Sequence, residues 1–198
     1  MPRGLFIVLE GVDGAGSTTQ THLLADSLNQ QGIRAIATKE PTEGRIGLLI
    51  RSFLQSSSPH PTIDALLFAA DRIEHLENIV RPALERGEHV ISDRYVESTL
   101  AYQSVDGVDV EWIEAVNRFA IKPDIVIILD INPTTSLNRK HNPTRERFET
   151  VEFLNRVRQN FKKRAATQGY DIVDAEKPIM QVHEALKKIV LLEIEAAK

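Results

Sequence analysis

The run from Asp124 to Asp130, "DIVIILD", limits the fold more than any other stretch of the chain. Its residues 125–129 are all apolar, with no polar residue at alternate positions. A strand with one wet face alternates, so this one must be covered on both faces, as in a parallel sheet flanked by helices. Four more runs read as strands: "LFIVLE" (5–10), "IRAIAT" (33–38), "EHVIS" (88–92) and "YDIVD" (170–174). Helical patterns lie between them, at about 17–31, 45–55, 62–86, 95–103 and 110–119, then after Asn132-Pro133, near 150–168, and after Pro178. Gly32 just past one helix and Pro just inside others are the expected punctuation. Alternating strands and helices predict right-handed crossovers and a three-layer α/β/α sandwich around a five-stranded parallel sheet. No repeat or linker interrupts the 198 residues, so one domain is expected.

Composition narrows the partners. The chain is 42% apolar and 26% charged, an ordinary globular mix. A net charge of −4 argues against nucleic-acid and membrane-surface binding. With no cysteine, disulfides, thiolate metal sites and a cysteine nucleophile are excluded. The apolar run in "MPRGLFIVLEG" is too short for a signal peptide and no stretch approaches a membrane span, so an intracellular, cytoplasmic protein is expected.

Between the first strand and its helix stands "GVDGAGST", Gly11 to Thr18. The phosphate-binding pattern G-x-x-x-x-G-K-[ST] is met at Gly11, Gly16 and Thr18, but Ser17 occupies the lysine position. Glycine-rich backbone N–H groups and a helix N-terminus attract an anion without that lysine. Thr18 keeps the hydroxyl such loops offer to Mg²⁺. Gly11, Asp13, Gly14, Ala15, Gly16, Ser17, Thr18 and Thr19 are therefore the expected nucleotide-binding residues. Phosphates repel a carboxylate, so Asp13 should turn toward a cation or a sugar hydroxyl, or stand as a solvated turn residue.

"EGVDGAGSTTQ", "FAADRIEH" (68–75) and "SDRYVESTLAYQ" (92–103) together resemble thymidylate kinase, the dTMP kinase branch of the P-loop nucleoside monophosphate kinases. "KEPTEG" (39–44) is similar to that family's Arg-Glu-Pro turn, with Lys39 in place of arginine. "DINPTTSLNRK" (130–140) and "RERFE" (145–149) resemble its strand, helix and lid. The resemblance implies a P-loop NTPase fold with a small lid at about 138–150, ATP and Mg²⁺ as cofactors, dTMP as substrate, and a homodimer. It also implies roles. Phe68 would stack on thymine and Arg72 would donate to its carbonyl edge. Asp93 would support the metal with Thr18, and Arg94 would clamp the dTMP phosphate. Tyr102 would crowd the sugar's 2′ side, with Ser98 one turn away and Gln103 near the base. Asp13 would meet the 3′-hydroxyl or the metal shell. The turn "VDAEK" (173–177) would border the adenine. Taken singly, Phe68 also fits core packing, Arg72 a surface ion pair, and Ser98, Tyr102 and Gln103 ordinary helix packing.

The family groups differ in where an extra arginine comes from. The loop here carries none, whereas "NRKHNPTRERF" holds Arg139, Lys140, Arg145 and Arg147, so lid cations are expected to close over the transferred group. Three accounts of Ser17 stand: another cation, Lys39 or Lys140, replaces the lysine; the enzyme is slow; or binding persists without transfer. The rival readings are a kinase for dUMP or UMP and an inactive nucleotide-binding regulator.

Overall fold

The computed structural model describes residues 3–55, 60–139 and 150–197. Five strands form one parallel sheet: β1 (Phe6–Gly11), β2 (Ala35–Lys39), β3 (His89–Asp93), β4 (Ile125–Asp130) and β5 (Asp171–Asp174). Their order is β2-β3-β1-β4-β5. All four pairings are parallel, and each strand run expected from the sequence forms within a residue or two. β4 is buried at every position but Asp130, as its unbroken apolar run requires.

The helices are α1 (Ser17–Gln30), α2 (Arg45–Leu54), α3 (Pro61–His75), α4 (Arg81–Glu85), α5 (Val96–Val105), α6 (Val110–Val116), α7 (Pro133–Arg139), α8 (Val151–Gln168) and α9 (Ile179–Ala196). Local chemistry sets several ends. Thr150 caps α8 by accepting from Phe153 N at 3.2 Å, and Gly169 closes it in the left-handed region. Asp109 caps α6 through Trp112 N at 2.8 Å. The helix expected over 62–86 is interrupted: a wide π turn, Leu76–Val80, separates α3 from α4. Pro82 explains it. Proline has no N–H for the helix ladder and its ring presses on the carbonyl four residues back, so the turn before it widens.

β1 lies between β3 and β4; the crossover from β1 runs to β2 at one edge of the sheet, whereas that from its neighbour β4 runs to β5 at the other. Ligands of open α/β sheets gather at such a switch point, beyond the carboxyl ends of the strands. Among the described residues no helix is long and apolar enough to cross a membrane. Lys140, Arg145, Arg147 and the segment "RERFE", expected to form a lid, lie outside the described residues.

Candidate active site

The loop after β1 has the backbone of an anion cradle. Gly16, the residue before α1, sits at φ 92°, and a Cβ there would meet nothing within 4 Å. The left-handed backbone demands glycine and the space above it is free for a ligand. Gly14, at φ 79°, serves a different need: a Cβ there would overlap the Ser136 carbonyl oxygen, so glycine lets α7 close against the loop. Ser17 is only 7% exposed. Thr18 Oγ1 donates to Asp93 Oδ2 at 2.5 Å, and Asp93 Oδ1 is buried without a hydrogen-bond partner. A hydroxyl beside a carboxylate with an orphaned oxygen suits Mg²⁺, which takes hard oxygen ligands and keeps several waters. Thr19 is exposed on the outer face of α1.

Arg94 is the hub. It follows β3 at φ 73°, a strained value for a residue with a side chain. Its N–H donates to Leu9 O at 2.9 Å, and its carbonyl accepts from Ser92 Oγ at 2.8 Å. The guanidinium reaches the Gly11 carbonyl at 3.1 Å, Ser98 Oγ at 3.1 Å and Asp13 Oδ1 at 2.5 Å. It also lies over the Tyr102 ring, 5.4 Å from its centroid. Asp13 thus turns toward a cation, while its own N–H donates to Tyr102 Oη at 3.0 Å. Burial works against the charge of Arg94, but Tyr102, Asp13, Asp93 and Glu10 outweigh it, so the guanidinium stays charged. Burial, with the Asp13 charge, likewise keeps the Tyr102 phenol protonated.

Beyond Arg94 opens a cavity of about 250 Å³. Asp13, Phe68, Arg72, Arg94, Ser98, Tyr102 and Gln103 all line it, so every residue expected at the acceptor site from the sequence reaches one space. Phe68 is half-buried and packs on the core with one side, so core packing and cavity lining hold together. The surface ion pair open for Arg72 is not what forms: its guanidinium is fully buried and paired with Glu40 of the "KEPTEG" turn at 2.7 Å. It also donates to Thr99 Oγ1 at 3.2 Å and to Asn117 Oδ1. Nε and Nη2 serve Glu40, Nη2 serves Thr99 and Nη1 serves Asn117, which leaves one Nη1 hydrogen of the five. Gln103 is buried and its Oε1 has no hydrogen-bond partner.

Other expected residues fall nearby. Arg139, at the end of α7, donates Nη1 to the Ala175 carbonyl at 3.0 Å, linking α7 to the turn after β5. Lys39 ends β2 beside Asp93 in register and pairs with Glu43 at 2.5 Å. Sequence reasoning missed two buried carboxylates. Glu40 holds Arg72 and His75. Glu10 is wholly buried in β1, and burial pushes its carboxyl up to about 7, only partly offset by Ser98 and the Arg94 charge. Between about pH 4.5 and 7 the folded chain keeps a proton that the unfolded chain has released, so this group's contribution to stability falls as pH rises through that window. The signal was legible in "LFIVLEG": one acid in an otherwise apolar central strand.

The sequence model of the family "Thymidylate kinase" matches residues 9–186. A probable thymidylate kinase from Thermococcus gammatolerans is 41% identical over 96% of this chain and 98% of its own length. One from Pyrococcus horikoshii is 43% identical over 97% and 98%, and one from Pyrobaculum calidifontis 41% over 94% and 95%. With the phosphate loop, the parallel sheet and end-to-end similarity in agreement, the chain belongs to the thymidylate kinase family, a family of nucleoside monophosphate kinases.

Proposed function

We propose that this chain transfers the γ-phosphoryl group of ATP to dTMP, giving ADP and dTDP for dTTP biosynthesis in the cytoplasm. The observation that carries this reading is the meeting of an anion cradle and a base-sized cavity at one arginine, Arg94. Backbone N–H groups from Gly11 to Thr18 receive the donor phosphates. Thr18 and Asp93 would hold Mg²⁺, which would neutralise charge on the phosphates. Arg94 clamps the acceptor phosphate, for which a planar fork of donors is suited. An oxygen of that phosphate forms the new bond to the γ-phosphorus as the bond to the bridging oxygen breaks and ADP leaves. The attacking oxygen is already anionic, so no general base is required. Phe68 supplies a ring face for the base. The remaining Nη1 hydrogen of Arg72 and the orphaned Oε1 of Gln103 match a carbonyl oxygen and an adjacent ring N–H. A single kinase domain with a lid at about 138–150 completes this reading. Ile63, Leu66 and Ile73, exposed at helical spacing along α3, support a homodimer joined through helices.

The acceptor pattern has a direct test. Thymine and uracil present the carbonyl and N–H in that arrangement, whereas cytosine reverses it. Turnover should favour dTMP over CMP by roughly 10²-fold or more, because reversal leaves buried polar groups unpaired. An acceptor panel with ATP reads this ratio, and equal turnover of dTMP and CMP would overturn the base-recognition scheme. The same panel separates a dUMP or UMP kinase.

Ser17 favours the rival reading of a nucleotide-binding protein without transfer. Against it, Lys39 borders both the acceptor cavity and a neighbouring cavity of about 360 Å³ lined by Thr18 and Asp93. Its pairing with the exposed Glu43 is of a kind worth little, so its amine can be drawn to phosphate. We assign it as the cation that stands in for the lysine. Ser17→Lys should then leave turnover flat or lower, because two amines compete for one anion. Lys39→Met should lower turnover, and adding Ser17→Lys to it should restore part of the loss. A rise in turnover from Ser17→Lys alone would instead mark a slow site with its cation missing.

A further inference from the structure

We infer that Glu10 is a positioning residue for the acceptor phosphate: ionised, it orders Arg94 through Ser98 and the first turn of α5. The inference rests on the assignment of Arg94 to that phosphate. α5 begins without a capping side chain of its own. Glu10 Oε1 supplies the cap from another element, accepting Tyr95 N at 2.8 Å and Ser98 N at 3.2 Å. Those are the N-terminal N–H groups that a helix leaves unpaired. Glu10 Oε2 accepts the Ser98 hydroxyl hydrogen. A hydroxyl has one hydrogen; once given to Glu10, its lone pairs face Arg94 Nη1, which donates to Ser98 Oγ at 3.1 Å. The chain of contacts therefore runs from carboxylate to hydroxyl to guanidinium.

This arrangement has a cost that packing alone does not explain. Glu10 is 0% exposed in the central strand, where a carboxylate is poorly solvated. A neutral apolar residue would fill β1 as well, but could neither cap α5 nor orient Ser98. Protonated, the carboxyl becomes a donor toward Ser98, the hydroxyl can turn, and Arg94 loses both an acceptor and a nearby negative charge. The titratable and charged groups around Glu10 are Arg94 after β3 and Glu97 on α5, with Arg164 on α8 and Tyr170 before β5 bonded to Glu97. Its partner on β4, Ile128, is apolar. Burial pushes the carboxyl up to about 7, so the switch between the two states falls near neutral pH. The sign follows: dTMP binds more tightly above that value and more weakly below it.

Titration calorimetry of dTMP binding from pH 5.5 to 8.5, on the unmodified chain and on Glu10→Gln, tests this. The glutamine carbonyl can still accept from the α5 backbone, but it carries no charge and its amide donates to Ser98. At pH 8 the variant should bind dTMP roughly tenfold more weakly, the size of losing one charge-assisted hydrogen bond, with ATP binding within about twofold. The unmodified chain should lose dTMP affinity below about pH 7, and Glu10→Gln should lack that limb. The acceptor phosphate titrates near 6 as well, but that limb is common to both proteins. Ser98→Ala keeps the cap and breaks the relay, and should weaken dTMP binding in the same direction; it serves if Glu10→Gln does not fold. Unchanged dTMP affinity and an unchanged pH profile in either folded variant, with only thermal stability lowered, would make Glu10 a helix cap and nothing more. Equal weakening of ATP and dTMP would overturn the role too. Failure of the unmodified chain to bind dTMP would instead remove the functional reading on which the inference stands.

Discussion

Arg72→Ala should cost the folded chain about 3–5 kcal/mol, the loss expected when one partner of a buried ion pair is removed. The side chains of Arg72 and Glu40 are 1% and 2% exposed, so truncation strands the Glu40 carboxylate in the interior. His75 Nδ1 lies 2.9 Å from the other Glu40 oxygen, yet the arginine supplies the permanent charge. Asn117 and Thr99 lose their donor as well. Chemical denaturation reads the loss, and a change under about 1 kcal/mol would contradict the buried-pair account. The variant should also use dTMP poorly, but instability alone could cause that. Arg72→Met combined with Glu40→Gln separates the two effects. It removes both charges together and should recover part of the stability, while dTMP use stays impaired if Arg72 reads the base.

The second large effect belongs to the lid proposed at about 138–150. Arg145→Ala or Arg147→Ala should lower turnover by about 10³–10⁵, as when an arginine that stabilises transferring phosphoryl charge is lost. ATP affinity should change far less, because the charge such an arginine meets grows mainly in the transition state. Steady-state turnover set against equilibrium ATP binding checks this. If both variants turn over like the unmodified chain, the basic segment is only a solvated loop. Arg139 is a weaker candidate, since its Nη1 already holds the Ala175 carbonyl.

Much of the fold was legible because its signals are local. The unbroken apolar run of β4 demanded cover on both faces, and the glycine loop marked the turn from β1 into α1, where the backbone at Gly16 is left-handed. The residues expected at the acceptor site came as a set through the family resemblance, and they line one cavity. What stayed hidden depends on contacts between distant segments. Nothing near Arg72 in sequence announces Glu40, which is 32 positions away, or Asn117, which is 45 away. Glu10 was read only as the end of a strand, because its work as a cap lies 85 and 88 residues downstream. The break in the long helix was legible in principle, since Pro82 stands inside the range expected to be helical.

The central claim is that the chain transfers phosphate to dTMP although Ser17 stands where the loop's lysine belongs. Direct detection of dTDP, after incubating the purified chain with ATP, Mg²⁺ and dTMP, tests it most simply. The account predicts dTDP formed in step with ADP, and loss of both when dTMP or Mg²⁺ is left out. Tight binding of ATP and dTMP with no dTDP formed, across divalent metals and phosphate donors, would contradict it and leave a nucleotide-binding protein that does not transfer phosphate.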